Sequence, residues 1–112
     1  MKVIDVKKQP IKENAHKVDA RAVFASEHIL LVHMEIEQGK SLLPHITPVD
    51  VVFYVLEGEG TVTVGEEKAI VKKNQAVFSP KDIKHNWANT GTGTLRILVM
   101  KTPKPQKATK IL

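Results

Sequence analysis

The sequence predicts an all-β fold of short strands, a sandwich or barrel, and three observations carry that prediction. Apolar and polar residues alternate with period two along much of the chain. Gly, Pro, Asn and Asp interrupt that alternation at short intervals, as turns do. No stretch carries the 3.6-residue period of a long helix, and many short strands between such turns give a sandwich or barrel. The chain has 112 residues, the size of one domain, and can bury a core without staples. It is therefore read as a single domain, 1–112, with a core over about 20–101 and a basic, extended tail over 102–112. Cysteine is absent, which excludes a disulfide framework and thiolate chemistry.

Residues 21–25 (RAVFA) are expected to form the first strand, with Ser26-Glu27 as a turn. Residues 29–37 read ILLVHMEIE. Leu30, Val32, Met34 and Ile36 make an apolar row, while His33, Glu35 and Glu37 make a polar one. That is a strand with one buried face, ending at Gly39. Residues 51–56 (VVFYVL) are almost continuously apolar and rich in β-branched and aromatic types, as in a strand covered on both sides. Glu57-Gly58-Glu59-Gly60 reads as a turn and Thr61–Val64 as a strand. Gly65-Glu66 is a tight hairpin signal before Lys68–Val71. Residues 75–78 form a short strand, and Ser79-Pro80-Lys81-Asp82 a turn in which Pro sets φ. His85–Ala88 and Thr94–Lys101 read as a pair joined through Asn89-Thr90-Gly91-Thr92-Gly93. The segment after Thr102 holds two prolines and three lysines, so it is expected to be extended, with Ile111-Leu112 either docked or free.

The net charge of +5 raises nucleic acid as a partner, and its distribution argues against one. Residues 1–17 carry five lysines against Asp5 and Glu13, and residues 101–112 carry four lysines and no acid. The body between them is slightly acidic, so the excess sits in terminal clusters that read as solvated. A nucleic-acid footprint gathers Lys and Arg on one folded face, and Arg is the better phosphate and base reader. The first twelve residues mix apolar side chains with Lys7, Lys8 and Lys12 and do not resemble a signal peptide. No apolar run approaches the roughly 20 residues of a membrane helix. No nucleic-acid partner, no membrane and a cytoplasmic location are the expectations.

Two spaced motifs stand out. The first is Gly39, five residues, His45-x-Thr47, three residues, Val51, six residues, Gly58. The second is Asn74, five residues, Pro80-x-Asp82, two residues, His85, three residues, Asn89. In spacing and wording this pair resembles the two motifs of a small single-domain cupin over roughly Leu30 to Met100, including YVLEGEG and HNWANTG. The resemblance implies a double-stranded β-helix, the jelly-roll cupin barrel of the RmlC-like superfamily, commonly paired as a homodimer. It also implies a site inside the barrel where three His and one Glu hold a divalent transition metal: Zn, Mn, Fe, Ni or Cu.

This chain departs from that pattern. The four ligand positions fall on His45, Thr47, Val51 and His85. Imidazole suits any of these metals, a neutral Thr hydroxyl rarely binds one, and Val has no donor atom. Catalytic sites normally supply about three protein ligands, so His45 and His85 alone make an incomplete metal site. Asp50 could restore a ligand only if a β-bulge re-aimed it. His33 is read as a surface or subunit-contact residue, and His16 and His28 as surface residues. Asn74 and Asp82 stand where glycines are usual. By strand alternation Phe53 and Val55 share the face of Val51, and Trp87 shares the face of His85. Thr47, Val51, Phe53, Val55 and Trp87 are therefore the candidate ligand pocket, with plain core packing as the competing reading. Tyr54, of opposite parity, is placed outside the pocket, and Asn89 is read as a turn residue.

The first functional reading is a protein that binds a small organic ligand in the barrel without a full metal site. The alternative is a metal-dependent dioxygenase, isomerase or lyase using a two-His site. A third is an interaction protein with a vestigial pocket. Gly-rich phosphate loops, a nucleophile elbow and Cys-based zinc spacing are absent.

Overall fold

The computed structural model describes all residues, 1–112, as two facing five-stranded antiparallel sheets. After a short 3-10 turn at Val6–Lys8, ten strands follow: β1 (Asp19–Ala25), β2 (Leu30–Ile36), β3 (His45–Ile46), β4 (Asp50–Glu57), β5 (Glu59–Val64), β6 (Glu67–Lys72), β7 (Ala76–Ser79), β8 (His85–Ala88), β9 (Leu95–Thr102) and β10 (Lys110–Ile111). One sheet has the order β1-β2-β9-β4-β7 and the other β10-β3-β8-β5-β6. This is the double-stranded β-helix that the motifs imply. No helix is long and apolar enough to cross a membrane.

Alternation builds the core as expected. On β9 the odd residues Leu95, Ile97 and Val99 point inward and are almost fully buried. They lie opposite Ile36, Met34 and Val32 on one side, and Val99 and Ile97 lie opposite Phe53 and Val55 on the other. From the second sheet, Trp87 and Val62 pair and close the same core. Both faces of β4 are covered to some degree, but only its odd residues are buried, so the continuous apolar run is a one-sided core strand.

Two expectations are corrected and one alternative is decided. His85–Ala88 does not pair with Thr94–Lys101: β8 belongs to one sheet and β9 to the other. The Gly-rich connection crosses the sandwich, held by buried Asn89, whose Nδ2 donates to the Ile36 carbonyl at 2.8 Å and the Gly93 carbonyl at 2.7 Å. The turn before β5 shrinks to Gly58, which has φ of +82° and packs so close to the Thr94 carbonyl that no Cβ fits. Of the two alternatives for the end of the tail, docked or free, the structure shows docking. The tail returns to the barrel as β10, with Ile111 opposite His45 and the Leu112 amide donating to the Pro44 carbonyl at 3.1 Å.

The two missing glycines have a backbone explanation. Asn74 has φ of +70° and Asp82 of +64°, the left-handed region that glycine enters freely. Asn and Asp are the side chains that tolerate it best. The positions keep their conformational demand, and the chain meets it with the next-best residue types. The Asp82 amide donates to the Thr47 carbonyl at 3.0 Å, so this turn also fixes the strand that bears the first motif.

Candidate functional site

The open end of the barrel holds a cavity of about 510 Å³, a size that suits a small organic molecule. Its apolar wall includes Leu30, Val32, Met34, Val51, Phe53 and Val99. Both ends of the chain border its mouth: residues 12–16 from the N-terminal side, and Ala108, Thr109 and Ile111 from the returning tail.

His45 and His85 come together inside it. They sit directly opposite each other on β3 and β8, with their Nε2 atoms 3.0 Å apart and their rings edge to face. The proton positions of the neutral pair follow from their partners. The Leu43 carbonyl can only accept, so His45 Nδ1 carries its proton and donates to it at 2.7 Å. His45 Nε2 is then a lone pair and accepts a hydrogen bond from the N–H of His85 Nε2. That leaves His85 Nδ1 to accept from the Ser79 hydroxyl at 2.7 Å. Thr47 Oγ1 stands 3.4 Å from His85 Nε2 as a weaker second acceptor. Every ring nitrogen of the pair is satisfied without a metal or a net charge. Burial, aided by the neighbouring His45, pushes the His85 imidazole down to about 3. His45 is also lowered, first by burial and then by Lys101, against the Leu43 hydrogen bond.

The remaining candidates fall into two groups. Thr47, Val51 and Phe53 line the cavity, and the Phe53 ring stands edge-on to His85. Val55 and Trp87 share the inner face but do not line the cavity. They are fully enclosed in the core, with Trp87 edge-on to Phe53, because the barrel is filled by large side chains at that level. Asp50 is exposed and accepts from the Lys81 amide at 2.9 Å, so no bulge turns it inward. His28 is on the surface beside Glu27, as expected.

Two other histidines depart from expectation. His33 is buried, its Nε2 accepting from Arg96 Nε at 3.1 Å. It lies on the outer side of its sheet, and the N-terminal segment crosses that face: Lys7 pairs with Glu35, and Arg21 donates to the carbonyls of Lys7 and Gln9. His16 lines the cavity mouth, 4.7 Å from His45 between ring centroids. The Leu43 amide donates to its Nδ1 at 2.8 Å, which puts the ring proton on Nε2. Burial, then His45 and Lys101, lower its pKa to about 4.

Ser79 and Lys101 are the residues that sequence reasoning missed. Lys101 lines the cavity from β9, opposite Val51 on β4 and Leu30 on β2. It extends the inward row of Leu95, Ile97 and Val99, so its parity is a usable signal. Its place at the head of the lysine-rich tail hides that signal. Ser79 is opposite Val51 across β4 and β7, and nothing in a Ser-Pro turn signal announces a buried hydroxyl.

The donor set does not fit the four-ligand metal site of the barrel family. Two imidazoles converge, the hydroxyl is neutral, Val51 offers nothing, and no group of three or more His, Cys, Asp or Glu is placed to hold an ion. The cation Lys101 stands across from Val51, on the side where an anionic ligand to a metal is missing.

Comparisons with known proteins agree with this architecture. The cupin domain profile matches residues 32–101. An uncharacterized protein of Methanocaldococcus jannaschii, MJ1618, is 32% identical over 87 residues, covering 65% of this chain and 70% of that one. The crystal structure of TT1209 from Thermus thermophilus superimposes with a TM-score of 0.79 at 32% identity, covering 94% of this chain and 100% of that one. The polyketide cyclase RemF from Streptomyces resistomycificus has a TM-score of 0.83 at 19% identity, covering 100% and 85%, a likeness of fold alone. The chain belongs to the cupin family.

Proposed function

We propose that this cupin binds a small organic ligand in its barrel cavity and that its His45–His85 pair works there as a hydrogen-bonded recognition element rather than as half of a metal centre. The observation that carries this reading is the chain Ser79–His85–His45–Leu43. It completes the hydrogen bonding of both rings and leaves them neutral beside an apolar wall. Such a pocket, mostly apolar with a few placed polar groups, is a usual form for a small-molecule site. The lowered imidazole pKa values keep the pair neutral at physiological pH, which suits an apolar portion of a ligand packed against it.

The test is an amide-resolved NMR titration with a library of small organic compounds. Binders are expected to shift resonances of Thr47, Phe53 and His85 together, and His85→Ala, if folded, is expected to weaken them. Compounds that shift only residues outside the cavity would overturn the proposal. A metal-dependent enzyme is the competing outcome, recognisable as ligand binding that appears only after a divalent ion is added. Pairing of two copies fits the exposed Ile70 and Phe78 on the edge strands β6 and β7. Sedimentation equilibrium giving twice the chain mass would support it, and the monomer mass would overturn it.

A further inference from the structure

Lys101 is the unusual group in the cavity. Its side chain continues the inward row of β9 and is partly buried among Val51, Leu30 and the histidines. No ion pair of the protein engages its ammonium. The one acid lining the cavity is Glu13 at the mouth, and Lys12 lies beside it. A partly buried charge without a partner is costly, and proteins normally pair it or supply it with a ligand. Burial, and then Lys12, accordingly pull the Lys101 pKa below its ordinary value. The attraction of a bound anion would oppose both effects.

A second donor points the same way. The His16 ring carries its proton on Nε2, because Nδ1 is occupied by the Leu43 amide. That Nε2 has no partner within the protein, and His16 lines the same cavity. The opposite wall is apolar. The cavity thus offers a cation, a neutral N–H donor and a greasy surface, with Glu13 at the mouth as its one carboxylate.

We infer that the cavity takes a small monocarboxylate with an apolar body, its carboxylate seated on the Lys101 ammonium with His16 Nε2 as a second donor and its body against Val51, Phe53 and Val99. This rests on the reading of the barrel as a ligand pocket and names the class of ligand. A charge-assisted contact of this kind is expected to raise affinity about ten-fold.

The experiment is isothermal titration calorimetry of the full chain at neutral pH. The probes are phenylacetate and hexanoate, each against its neutral twin, phenylacetamide and hexanamide. Wild type is expected to bind each acid about ten-fold tighter than its amide. In Lys101→Met that preference disappears while amide binding stays. Lys101→Gln, of nearly the same length and neutral, is expected to behave the same, so a folding defect in one variant does not decide the matter. Amides that bind wild type as tightly as acids would overturn the carboxylate assignment and leave the pocket reading standing. A preference that survives in both variants would remove Lys101 from the role. Failure of acids and amides alike to bind at millimolar concentration would overturn both readings.

Discussion

The two ends of the barrel interior are built from the same strands and do different work. At the closed end β9 contributes Leu95 and Ile97 and β8 contributes Trp87, all with no exposed surface. At the open end those same strands contribute Lys101 and His85, and β3 adds His45. Side-chain parity is unchanged along each strand, so what changes is the chemistry of the inward residue and not its direction. The closed end is a core, and the open end is a set of polar groups held in fixed positions by that core. The outer face sharpens the contrast. Arg96, of opposite parity on β9, pairs with Glu57 and donates to His33, whereas Lys101 faces inward with no partner.

Breaking the closed end should have the largest effect. Trp87→Ala removes the largest fully buried side chain and its contact with Phe53, and is expected to cost about 3–5 kcal/mol in denaturant unfolding. A cost near that of a surface substitution would show that Trp87 is not part of a packed core.

Acid should act mainly at the open end. His16 and His85 have folded-state pKa values of about 4 and about 3, below the ordinary 6.5. The unfolded chain therefore binds protons that the folded chain refuses between pH 6.5 and those values. Stability from these groups is present above pH 6.5 and falls as pH drops through that window. The melting temperature is expected to decline from pH 6.5 towards 4 in wild type. In a folded His16→Gln variant the decline is expected to be shallower. An equal slope in both would place the acid sensitivity elsewhere.

The smallest effect belongs to the turn that anchors the first motif. Asp82→Ala puts a residue with no local hydrogen-bonding group at φ of +64° and is expected to cost about 1–2 kcal/mol. Asp82→Gly is expected to be neutral or stabilising in the same unfolding assay. Equal losses in both would mean that the Asp side chain, and not the backbone angle, matters.

Much of this is legible from spacing and alternation. The two motifs place His45 and His85 in one site, and the even row of β2 marks its inner wall. The spacing also locates the turns at Asn74 and Asp82, although only backbone angles explain why those residue types stand there. What is not legible depends on chain segments without a period. His16 reaches the mouth because the N-terminal segment crosses it, and no local pattern encodes that path. The expected pairing of β8 with β9 fails because a five-residue Gly-rich connection serves a hairpin and a crossover equally well. Lys101 is visible by parity, but the lysine-rich tail that follows it draws it into the solvated class.

The open end is proposed to work without a metal. Elemental mass spectrometry of untagged protein purified without chelator, wild type beside His45→Ala, tests that proposal most directly. No stoichiometric transition metal is expected in either protein. Near-stoichiometric metal in wild type that is lost in His45→Ala would contradict the proposal.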